Sequence, residues 1–64
     1  MADFTVRNEG TIFLLTPHSA EAEEWIEEHL PKDRQTWGSS VVVEHRFIAD
    51  IVKGIRAEGL VVEG

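Results

Sequence analysis

The chain has 64 residues, 42% apolar and 28% charged, the balance of one small folded domain (1–64) and not of a disordered tail. With no cysteine, neither disulfides nor a thiolate-held zinc can staple so small a core, and the absence fits a reducing compartment. The formal charge of −6 lies entirely in residues 1–30, where seven acids face Arg7 alone, since residues 31–64 balance five acids with five bases. That excess disfavours a nucleic-acid backbone as direct partner and favours a basic protein surface.

The first segment, Asp3-Phe4-Thr5-Val6-Arg7, alternates polar and apolar residues and predicts a half-buried strand. Asn8-Glu9-Gly10 supplies turn chemistry, and Thr11–Thr16 reads as a more buried strand that closes a hairpin with the first. Thr16-Pro17 is a helix-start signal, a capping hydroxyl before proline, with Ser19 as the rival cap. From about Pro17 to Leu30 the pattern is helical. Ala22, Trp25, Ile26, His29 and Leu30 fall on one arc of roughly 140°, and Glu21, Glu23, Glu24, Glu27 and Glu28 fill the rest. Pro31 ends the helix, because proline disfavours helical geometry in the residue before it.

Residues 31–39 form the longest irregular stretch, in which Trp37 beside Gly38 is expected to fold back as a lid on the core. Ser40–Glu44 is a β-branched strand. A second helix is expected over about 45–58, with Ile48, Ile51, Val52 and Ile55 at the spacing of a buried stripe. Gly54 inside it costs about 1 kcal/mol relative to alanine, and Gly59 suits a left-handed C-terminal cap. Leu60–Glu63 completes the chain as a strand.

The predicted fold is therefore α+β, a ββαβαβ two-layer sandwich with two helices on one face of a four-stranded sheet. The last strand–helix–strand unit would be a right-handed crossover if its strands were parallel neighbours. Two helices cover only one face. Consecutive apolar residues at 12–15, 41–43 and 60–62 place apolar groups on both, so an open sheet face is expected to serve a homodimer or another partner.

Catalytic, cofactor and metal chemistries find no support in the residues. His18, His29 and His45 lack any ligand spacing, Ser19, Ser39 and Ser40 sit in no nucleophile elbow, and the glycines form no phosphate loop. The carboxylates of the first helix face solvent on a convex surface, not a cleft that could shift their pKa values. The expectation is a protein that is no enzyme and needs no cofactor. No apolar run approaches the ~20 residues of a membrane span, and the start lacks a secretory pattern, so no membrane partner is expected and the expected address is cytoplasmic.

The five glutamates are the most informative feature. Glu21–Glu24, Glu23–Glu27 and Glu24–Glu28 repel at i, i+3 and i, i+4, at roughly 0.2–0.5 kcal/mol per pair. No lysine or arginine is interleaved to relieve them. Glu21, Glu23, Glu24, Glu27 and Glu28 are thus the candidate partner-binding residues, an acidic ridge for a basic groove.

Two resemblances bear on this. The tail Ile51–Val62 resembles the end of a winged-helix DNA-binding domain, which would imply duplex binding. The chain departs from that pattern where Val41-Val42-Val43 stands in place of the companion helix. More broadly, Val43–Leu60 with Trp25-Ile-Glu-Glu-His-Leu-Pro31 is similar to small uncharacterised proteins of bacteria and their phages. In kind, the chain is similar to phage-encoded inhibitors such as anti-CRISPR proteins, which implies a small acidic inhibitor acting on a nucleic-acid-binding partner.

Overall fold

The computed structural model covers residues 1–64. Strand β1 (Phe4–Asn8) and strand β2 (Ile12–Pro17) form the expected hairpin, with Phe4 opposite Pro17 and Asn8 opposite Phe13. Its turn is held by the Asn8 side chain, whose Oδ1 accepts from the Gly10 N–H at 2.8 Å. Helix α1 (Ala20–His29) follows. Its cap is Ser19, not Thr16-Pro17. The reason is that the Thr16 hydroxyl is already bonded to Ser40 Oγ at 2.6 Å, and Pro17 still belongs to β2.

Strand β3 (Thr36–Trp37) was not expected. It pairs antiparallel with β4 (Ser40–Glu44), so the sheet has five strands where four are predicted. The turn between them is Gly38-Ser39, and Gly38 takes φ +63°, the positive φ that a tight hairpin of the Gly-X kind requires at its first position. Helix α2 (His45–Ala57) starts directly from β4, with no helix before it, and Gly59 caps its end at φ +81°. The short β5 (Val62–Glu63) closes the sheet.

The strand order is β3-β4-β2-β1-β5, with only the β1–β5 pair parallel. Following these pairings, β4 and β5 run the same way but are separated by β2 and β1. The unit β4–α2–β5 is thus a long crossover and not the neighbouring pair that the sequence suggests. It ends against the first strand, where Val61 O accepts from the N–H groups of Asp3 and Phe4 at 2.9 and 3.0 Å.

Both helices pack on one face. Phe4, Leu15, Val41 and Val43 point to it from the sheet, and Ala22, Trp25, Ile26 and Ile55 meet them from the helices. The rings of Phe4 and Trp25 meet edge-on, 6.1 Å apart. These eight residues are the whole buried core, which is small even for this length, so each one weighs heavily in stability. Ile48, Ile51 and Val52 of the predicted α2 stripe are only half-buried.

The opposite face carries no helix. Register places Thr5, Arg7, Leu14, Thr16, Ser40, Val42 and Trp37 there, since side chains alternate along each strand. Its apolar part is limited to Ile12, Leu14 and Val42, with Trp37 at the edge. Trp37 is 62% exposed and is not a lid on the core. Pairing with Ser40 turns it to the uncovered side.

Candidate functional site

Helix α1 is positioned at its start by a polar knot. Ser19 Oγ accepts from the Ala22 N–H at 3.1 Å and donates to Asp3 Oδ1 at 2.8 Å. Asp3 Oδ2 in turn accepts from the Val61 N–H at 2.9 Å, tying the helix start to both chain ends. Those bonds hold the Asp3 carboxyl below its ordinary value, the Val61 N–H contributing most and Ser19 next.

All five predicted glutamates are exposed, and the helix divides them into two flanks. On one, Glu23 and Glu27 face the start of the β3–β4 hairpin. Here Arg34 Nη2 reaches Glu27 Oε2 at 2.6 Å while Nη1 donates to the Pro31 carbonyl at 2.9 Å. Glu27 therefore has a domestic cation, against the expectation of an entirely uncompensated ridge. Its arginine comes from beyond the helix, seven positions on, where helical spacing does not look for it.

On the other flank, Glu21, Glu24 and Glu28 border a hollow together with Glu58 and Leu60, with Trp25 beneath. No ion pair forms at any of these four carboxylates; the three that the chain makes are Arg7–Glu9, Arg34–Glu27 and Arg46–Glu44. Glu58 was missed in the sequence. The signal for it exists: an acid at the C-terminal end of a helix opposes the helix dipole.

Trp25 also borders a second hollow, a groove of about 570 Å³ between the two helices. One wall is Trp25, His29 and Leu30 of α1; the other is Phe47, Ile51 and Gly54 of α2. Val41 and Val43 contribute from the sheet, and Asp50, Glu44 and Arg34 stand on the rim. The volume lies within the range of ligand-binding clefts. Phe47 is 48% exposed, with Arg46 lying over its ring at 4.9 Å. Gly54 of α2, which has no side chain, lies close to the indole along this wall.

The three histidines are dispersed. His18 bonds Thr5 Oγ1 at 2.9 Å, His29 stacks on Trp25 at 4.5 Å, and His45 lies 4.7 Å from Phe13. His29 is exposed, not the partly buried packing residue that the apolar arc predicts, because only one face of its ring is covered. No group of three or more histidine or acidic side chains is arranged to hold a metal ion. Ser19 and Ser40 spend their hydroxyls on Asp3, Ala22 and Thr16. No helix is long and apolar enough to cross a membrane.

Comparison with protein-family models, curated proteins and solved structures finds no match.

Proposed function

We propose that this chain is a non-enzymatic binding protein that docks its acidic helix α1 on a basic surface of a partner protein. One observation carries the reading. Glu21, Glu23, Glu24 and Glu28 stand exposed without a cation of their own, and Glu58 extends their flank from α2. Carboxylates four apart on a helix lie ~6 Å apart along its axis, a spacing close to that of phosphates along a strand. A basic groove built for nucleic acid would accept such a ridge. Occlusion of that groove, in the manner of phage-encoded anti-CRISPR inhibitors, is the corresponding biological role.

The test is capture of basic proteins from cells that encode the chain, with the wild type and the double variant Glu24→Lys, Glu28→Lys as baits. The wild type should retain a basic partner at about 0.1 M salt and lose it at about 1 M, where the Debye length falls from about 10 Å to about 3 Å. The charge-reversed bait should retain none, with its circular dichroism unchanged. Equal retention by both baits removes the reading.

A second reading, a homodimer through the open sheet face, draws on Trp37. Its side chain stands exposed beside Ser40 on a face that no helix covers. Light scattering at micromolar concentration should then report a dimer that Trp37→Ser dissociates, and a clean monomer removes it. The DNA-binding alternative has less support, since β4 stands where a companion helix would precede α2.

A further inference from the structure

The acidic hollow and the apolar groove adjoin each other along α1. Both lie between α1 and α2, and both are bordered by Trp25. The hollow runs along α1 from Glu21 through Glu24 to Glu28, with Glu58, just past the end of α2, opposite. In the groove, the last turn of α1 meets early α2, and the apolar part of the lining includes Leu30, Phe47 and Ile51. Glu28 of the hollow is the neighbour of His29 in the groove, so charge and apolar surface stand side by side along α1.

From this juxtaposition we infer that the seam between the helices takes a basic amphipathic peptide segment of the partner. Apolar side chains enter the groove beside Phe47, Ile51 and Gly54, while lysines or arginines of the same segment meet Glu21, Glu24, Glu28 and Glu58. The inference rests on the acidic-docking reading and adds to it a shape and an apolar anchor. Charge complementarity selects this occupant over others. A second copy of this chain carries the same −6 charge and would set acid against acid. A nucleic acid would do the same with its phosphates. A neutral apolar ligand would fill the groove but leave the four carboxylates as they are. Size agrees as well: α1 has 10 residues, about 15 Å at a rise of 1.5 Å each, so a segment of about three helical turns spans the seam. Helix-in-groove recognition of this kind reads anchors at i, i+3, i+4 and i+7.

Three synthetic peptides of equal length, about three to four turns, test it: an amphipathic lysine–leucine peptide, a lysine–serine peptide and a glutamate–leucine peptide. Each is titrated into the isotope-labelled protein and followed by amide and indole NMR shifts. The lysine–leucine peptide should move the Trp25 indole N–H and the amides of Ile51, Gly54, Glu24 and Glu58 together. It should bind at least about tenfold more tightly than lysine–serine, the effect of one well-placed anchor. Phe47→Ala, which alters a half-exposed ring, should remove that advantage while leaving lysine–serine affinity unchanged. If the two lysine peptides bind equally and shift only the acidic hollow, the groove inference fails and the acidic-docking reading stands. If neither lysine peptide binds, both fail. If glutamate–leucine binds as well as lysine–leucine, the carboxylates play no part and the inference is overturned. The peptide comparison needs only the unaltered protein, so it decides the matter even where a variant misfolds.

Discussion

The backbone of Gly54 lies against the indole of Trp25, so close that a Cβ at that position would stand 3.4 Å from Cζ2. That distance is ordinary van der Waals contact, so one methyl fits without displacing the ring. Alanine also removes the backbone-entropy cost of a mid-helix glycine, about 1 kcal/mol. Gly54→Ala should therefore stabilise the protein by about 0.5–1 kcal/mol, and a gain of 1 kcal/mol corresponds to about 4–8 °C in Tm for a domain of this size. A branched side chain adds carbons to a Cβ that already touches the ring. Gly54→Val should press on the indole and cost about 1–3 kcal/mol through overpacking. Urea denaturation of the pair checks both, and a loss of stability in the alanine variant would show that the indole tolerates no neighbour there.

Glu24 sits between two like charges, Glu21 at i−3 and Glu28 at i+4, and has no cation partner. Each repulsion costs roughly 0.2–0.5 kcal/mol in an exposed helix. Glu24→Gln should thus raise stability by a few tenths of a kcal/mol at low salt, with the gain vanishing near about 1 M salt as screening removes the repulsion. Glu27→Gln should behave in the opposite way, because Glu27 already has Arg34 at 2.6 Å. Losing that pair, in which Glu27 is exposed and the Arg34 side chain largely covered, costs about 0.2–1 kcal/mol. Parallel denaturation curves at two salt concentrations separate the two cases. Identical behaviour would mean that the flanks of α1 do not differ electrostatically.

Trp37 and Trp25 occupy opposite environments, one 62% exposed and the other 6%. Trp37→Phe should leave a spectrum from Trp25 alone, blue-shifted and protected from acrylamide. The red-shifted, quenchable part of the wild-type emission should disappear with the substitution. Stability should change by no more than about 0.5 kcal/mol, as at an ordinary surface position. A substantial loss of stability would instead support a covering role for Trp37.

Periodicity made both helices legible, since Ala22, Trp25, Ile26 and Ile55 mark their inner faces and do enter the core. The β1–β2 hairpin was legible for the same reason, its alternation and turn residues agreeing. What escaped was non-local. β3 is two residues long, too short to show any alternation, and its one clue was the Gly-Ser pair between Trp37 and Ser40. The order of β5 beside β1 depends on Asp3 meeting Val61, 58 positions away, which no window of sequence contains. The acidic residues of α1 could be named from spacing alone. That Glu27 is neutralised, and that Glu58 replaces it, follows from a loop and a second helix folding back upon the first.

Asp3 is the group through which acid should act on the fold. Its carboxylate accepts from the Val61 N–H and the Ser19 hydroxyl, joining β1, the strand approaching β5 and the cap of α1. Those bonds, with a smaller contribution from the N-terminal ammonium and against some opposition from burial, lower its pKa from 3.8. A folded value below the unfolded one means that the ionised carboxylate stabilises the native state in full above the unfolded value of 3.8. The contribution is lost as pH falls from there through the folded value, where protonation weakens both bonds. Asp3→Asn removes the titration. The variant should be less stable than the wild type near about pH 6, and the gap should narrow by about pH 3. Urea midpoints at the two pH values give the answer, and a constant gap would show that Asp3 contributes through packing alone.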